Sequence, residues 1–89
     1  FTLRAILFGQ LETHANGADG AFAEAIAAMP EIVEAQRLAG DTDYILHLVL
    51  EDASAFNHFY ERFLREAPVK SVTTRIVVAD TKPRTGLPI

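Results

Sequence analysis

The apolar positions at the start of the chain do not alternate cleanly with polar ones. "TLRAILFGQL", Thr2 to Leu11, is rich in β-forming residues and apolar at both parities, which predicts a strand with neither face fully wet. Leu3, Ala5, Leu7 and Leu11 fall on one side, and Ile6 and Phe8 on the other. After the polar loop "ETHANGADG", Phe22, Ala25, Ile26 and Met29 recur at helical spacing, with Asp19 as the expected N-cap and Pro30 as the stop. "EIVEAQRLAG" and "DYILHLVLE" then read as two strands joined by a turn at Gly40 to Asp43, a candidate antiparallel hairpin.

A second helix is expected over "ASAFNHFYERFLREA", capped by Asp52 and stopped by Pro68. Phe56, Phe59, Tyr60, Phe63 and Leu64 form its apolar stripe, and Asn57, His58, Glu61, Arg62 and Arg65 lie away from it. "VKSVTTRIVVA" is a β-branched final strand, and "DTKPRTGLPI" is a tail without periodicity. The order β-α-β-β-α-β predicts an α+β ferredoxin-like sandwich, a four-stranded antiparallel sheet with two helices on one face. Residues 1–80 form the domain and 81–89 the tail. In the hairpin's second strand Tyr44, Leu46, Leu48 and Leu50 oppose Ile45, His47 and Val49. Both faces of the sheet are therefore apolar, and two helices cover only one. The uncovered face predicts self-association.

Composition narrows the possibilities further. With 89 residues there is room for one small core. An apolar fraction of 49% beside 22% charged residues is that of a globular domain rather than a disordered one. The longest apolar run is too short to span a bilayer. Without cysteine there is no disulfide, zinc-thiolate site, iron–sulfur cluster or thiol chemistry, which fits a cytoplasmic protein. A formal charge of −4 opposes unaided binding to a phosphate backbone. The chain begins at Phe1 rather than Met and goes straight into the first strand without a signal or transit pattern, so it is expected to be a portion of something longer or a trimmed domain.

Candidate chemistry is sparse. Gly40, Asp41, Thr42 and Asp43 suit an ordinary turn, since Asp bonds nearby amides and Gly tolerates positive φ. They also suit a small polar cradle for an ammonium or carboxylate group. His14, His47 and His58 are not at metal-ligand spacing. His47 is placed on the open sheet face, either as an interface residue or as a base in a cavity. Ser71, Thr73 and Thr74 are ordinary strand hydroxyls, and no nucleophile elbow, phosphate loop or HExxH pair occurs. Lys82 and Arg84 read as solvated tail residues.

"MPEIVEAQRLAGDTDYILHLVLEDASAFNHFYERFL", then "VKSVTTRIVVADTK" and the ending "GLPI", closely resemble the C-terminal effector-binding domain of the Lrp/AsnC family of transcription regulators. The resemblance covers essentially the whole chain and is strongest from Met29 to Phe63. It implies a domain that dimerises through its sheet, assembles further into octamers or related rings, and binds an amino-acid effector between dimers near the Gly-Asp-x-Asp turn. By position, the ligand-binding residues it implies are Gly40, Asp41, Thr42, Asp43, Tyr44 and Thr74. The family often has a second threonine where this chain has Val72. It also implies no enzyme activity, no cofactor, and DNA contact only through a helix-turn-helix that this sequence lacks. Two rivals stand beside it. One is a cofactor-independent, dimeric ferredoxin-like monooxygenase using His47, and the other is a stand-alone assembly module with an empty turn.

Overall fold

The computed structural model describes residues 2–83 and 86. The elements run β1 (Leu3–Gly9), α1 (Ala18–Ala27), β2 (Ile32–Arg37), β3 (Tyr44–Leu50), α2 (Ala53–Glu66) and β4 (Thr73–Ile76). The strands form one antiparallel sheet in the order β2-β3-β1-β4. This is the βαββαβ ferredoxin-like arrangement that the order of strand and helix patterns predicts. No helix among the described residues is long and apolar enough to cross a membrane. Arg84, Thr85 and 87–89 of the tail lie outside the described residues.

The two parities of β1 and β3 separate as expected. Ala5, Leu7, Tyr44, Leu46, Leu48 and Leu50 are buried against the helices, each large side chain contributing about 1.5–3 kcal/mol relative to exposure. An aromatic chain ties both helices to β3. Phe22 of α1 lies 5.2 Å from the ring of Tyr44, Tyr44 lies 6.3 Å from Phe63 of α2, and Phe63 lies 5.8 Å from Phe59. On the other face Ile6 pairs with His47 and Arg75, and Phe8 with Ile45 and Thr73. Ile6, Phe8, Ile45 and His47 are each only half-buried. That face carries no helix, so its apolar residues end at the sheet surface.

Local details depart from the sequence reading at three places. Helix α1 starts two residues earlier than an Asp19 cap would set it. Gly17, at φ 90°, is the N-cap, and Asp19 falls in the first turn with its carboxylate on Arg37. A glycine adopts that left-handed conformation without a Cβ penalty. Helix α2 is capped as expected, with the Asp52 carboxylate accepting the Ala55 N–H at 2.8 Å. Leu64, however, turns outward and is 50% exposed, so the buried stripe is narrower than the pattern suggests. β4 ends at Ile76, shorter than the β-branched run suggests, and Val78 beyond it is 94% exposed.

Candidate functional site

The turn between β2 and β3 stands at the end of the sheet where β1 finishes. Gly9, the last residue of β1, pairs with Tyr44, the first of β3. The Asp43 N–H donates to the Gly9 carbonyl at 2.7 Å, and the Leu38 N–H closes the hairpin on the Asp43 carbonyl at 2.9 Å. Arg37 Nε donates to that same carbonyl at 2.8 Å. Gly40 takes φ 106°, the left-handed conformation that lets the chain reverse. No protein acceptor among the described residues takes the amide hydrogens of Gly40, Asp41 or Thr42.

Asp43 is buried, with 7% exposure. Its Oδ2 accepts the Leu11 N–H at 2.9 Å and faces His14 Nε2 at 2.9 Å. An ionised carboxylate only accepts, so His14 carries its proton on Nε2. The Leu11 N–H holds the Asp43 carboxyl below its ordinary value; burial opposes this, and His14 and Arg37 add to it. A buried charge is tolerated when it is hydrogen-bonded in this way. Gln10 adds a further tie, its Nε2 donating to the Asp41 carbonyl at 3.1 Å. The turn is thus fastened to the segment after β1 through both backbone and side chains.

Tyr44 sits entirely within the core, and its hydroxyl donates to the Ser71 carbonyl at 2.9 Å. Burial raises the phenol's pKa and keeps it protonated. The close approach of β1 to Ser71 depends on Gly9, where an added Cβ would lie 2.0 Å from the Ser71 oxygen. Thr74 is half-buried and pairs with Leu7, so β1 separates it from the turn. Val72 packs against the core.

The structure therefore brings Gly40, Asp41, Thr42 and Asp43 together as one turn, roots Tyr44 beneath it, and sets Thr74 across β1. The supporting residues Gly9, Gln10, Leu11, His14 and Arg37 carry no recognisable motif. Leu11 and His14 lie far from Asp43 in sequence, so spacing gives no sign of their role. His47 lies between Ile6 and Glu34 on the open face. Two clefts flank α1. One, of about 290 Å³, is lined by His14, Ala15, Asn16, Gly17, Asp19 and Arg37, and the other, of about 330 Å³, is bordered by α1 and β2 around Ile26, Ile32 and Val33. No group of three His, Asp or Glu among the described residues could hold a metal ion.

The fold is thus a helix-backed antiparallel sheet whose β2–β3 turn is fastened through Asp43 to the segment after β1. The model of the Lrp/AsnC ligand binding domain matches residues 5–87. The chain belongs to that family. It is 30% identical over 69 residues to the DNA-binding transcriptional activator DecR of Escherichia coli, covering 76% of this chain and 45% of that protein. The crystal structure of an AsnC family transcriptional regulator from Agrobacterium tumefaciens is similar with a TM-score of 0.85 and 28% identity, covering 98% of this chain and 57% of that one. The transcriptional regulator NMB0573 of Neisseria meningitidis, solved as an L-Met complex, is similar with a TM-score of 0.85 and 30% identity, covering 97% and 56%. The chain thus spans about half the length of these relatives.

Proposed function

We propose that this chain is the effector-sensing and assembly unit of a transcription regulator, residues 1–80 forming the unit and 81–89 its tail. The Gly40–Tyr44 turn receives an amino acid or related small metabolite. The observation that carries this reading is the braced turn whose Gly40, Asp41 and Thr42 amides point to no protein acceptor among the described residues while Asp43 Oδ2 is taken by the Leu11 N–H and His14. Such amides suit the carboxylate of an amino acid. The L-Met complex of the Neisseria relative supports the ligand class. Asp43 acts here through the turn it braces rather than as the direct anchor of the ligand's ammonium group. Thr74, which β1 separates from the turn of its own chain, contributes from β4 of another copy across the junction between pairs, with Val72 in place of a further hydroxyl.

The half-buried open face, with Ile6, Phe8, Ile45 and His47, is the surface through which two copies pair, and His47 is an interface residue rather than a base. Pairs assemble into larger rings. DNA is contacted by a helix-turn-helix that is not among these 89 residues, and the protein works in the cytoplasm without enzyme activity or cofactor. A ligand bound between pairs changes the assembly by its difference in affinity for two arrangements, typically about 1–3 kcal/mol.

Isothermal titration with each of the standard L-amino acids tests the site, with the ¹⁵N–¹H shifts of Gly40, Asp41 and Thr42 reporting its place. Saturable heat with shifts at those amides is expected. If no amino acid gives heat, the turn is structural only. Sedimentation velocity tests the pairing, and a monomer at every concentration refutes it.

A further inference from the structure

We infer that Gln10 is a positioning residue for the turn, fixing the peptide plane between Asp41 and Thr42 so that the Thr42 N–H faces outward to an occupant. This role rests on the reading of Gly40–Tyr44 as the ligand turn and adds to it the group that sets the turn's tip.

Asp43 braces only the base of the turn. Its N–H meets the Gly9 carbonyl, and its own carbonyl accepts the Leu38 N–H. Among the described residues, the backbone of residues 39–42 takes part in one hydrogen bond, from Gln10 Nε2 to the Asp41 carbonyl at 3.1 Å. Gly40, at φ 106°, gives this segment wide conformational freedom, so one outside contact decides how it is turned. A carbonyl only accepts, and the Gln10 side chain therefore presents its NH2 to it.

The consequence for Thr42 follows from peptide geometry. The Asp41–Thr42 bond is trans and planar, with C=O and N–H pointing in opposite directions. A carbonyl held toward Gln10 thus turns the Thr42 N–H away from it. Were the plane reversed, a carbonyl oxygen would face a ligand carboxylate where the amide hydrogen now stands, and an acceptor would meet an acceptor.

Gln10 is itself anchored just beyond the end of β1. Its N–H donates to Ser71 Oγ at 3.0 Å, and its carbonyl accepts the Lys70 N–H at 2.8 Å and the Ser71 N–H at 3.3 Å. The backbone beneath the side chain is clamped to the connection between α2 and β4, and the side chain bridges that connection to the turn. A role in overall stability fits less well. Gln10 is exposed, and a neutral hydrogen bond open to water contributes little to the whole fold.

The test compares the parent chain with Gln10→Met, which keeps length and neutrality but has no donor, and with Gln10→Lys, which keeps an N–H donor of similar reach. Without ligand, the {¹H}-¹⁵N NOE of Thr42 should fall in Gln10→Met and recover in Gln10→Lys, while the urea midpoint stays that of the parent. In titrations with each standard L-amino acid, Gln10→Met should bind about fivefold more weakly than the parent, as expected for one neutral hydrogen bond. If an amino acid shifts Gly40–Thr42 in the parent and Gln10→Met binds it as tightly, the ligand turn stands and the role of Gln10 is overturned. An unchanged Thr42 NOE in Gln10→Met, or a urea midpoint that falls with the affinity, overturns it equally. If no amino acid moves those amides in the parent chain, the reading of the turn fails and the role of Gln10 fails with it.

Discussion

Replacing Gly9 with alanine puts a methyl group where the structure has a backbone oxygen. The new Cβ would lie 2.0 Å from the Ser71 carbonyl oxygen and 3.1 Å from the Tyr44 hydroxyl. The first contact must lengthen by about 1 Å to reach even the 3.0 Å floor of real Cβ contacts. Neither group moves freely. Ser71 is held by the Tyr44 hydroxyl at 2.9 Å and by its own Oγ on the Gln10 N–H at 3.0 Å, and Lys70 N–H reaches the Gln10 carbonyl at 2.8 Å. Losing two such bonds at about 1 kcal/mol each, with about 1–3 kcal/mol of overpacking, gives a destabilisation of roughly 3–5 kcal/mol. A domain of 89 residues has about 4–13 kcal/mol in all. The assay is guanidinium unfolding followed by far-UV circular dichroism, at one protein concentration because any self-association would shift the apparent stability. Gly20→Ala is the control, since Gly20 lies within α1 with open space around it. It should stabilise by about 0.5–1 kcal/mol through helix propensity. A Gly9→Ala chain within about 0.5 kcal/mol of the parent would show that the approach of β1 to Ser71 is not a constraint.

Asp43→Asn should change the acid limb of stability. The folded state depresses the Asp43 carboxyl, mainly through the Leu11 N–H, so its contribution is present above the ordinary aspartate value and fades as pH falls through the lower folded value. Urea midpoints from about pH 7 to about pH 2 should fall less steeply for Asn than for the parent, from a lower starting point, and parallel curves would refute this. Asp52→Ala removes the carboxylate that accepts the Ala55 N–H and should cost about 1 kcal/mol in equilibrium unfolding. Phe63→Ala empties a fully buried position between Phe59 and Tyr44. It should cost about 3–5 kcal/mol and weaken the near-UV signal of Tyr44.

The fold was legible because its information is short-range and periodic. Ile45, His47 and Val49 stand opposite Tyr44, Leu46, Leu48 and Leu50 by strand pleat alone, and Asp52 caps its helix within one turn. Asp19 reads as a cap because it has the local pattern of one. A positive-φ glycine two residues earlier starts the helix, and Arg37, eighteen positions on, takes the carboxylate. The exposure of Leu64 escapes the sequence because the stripe leaves open how far the helix rolls against the sheet. The turn itself was visible as Gly-Asp-x-Asp. Its bracing was not, because Leu11 and His14 reach Asp43 only once β1 and β3 have paired, and no local pattern encodes that meeting.

The placement of β1 in the interior of the sheet bears on how the chain folds. Leu7 faces Leu46 on one side and Thr74 on the other, partners 39 and 67 positions further along. Closing loops of that length precedes the gain from pairing, which slows folding relative to a helical bundle of the same size. Until β4 docks, β1 keeps an apolar, unpaired edge that is able to recruit another chain. A segment cut between α2 and β4 should therefore yield aggregates rather than a smaller folded unit.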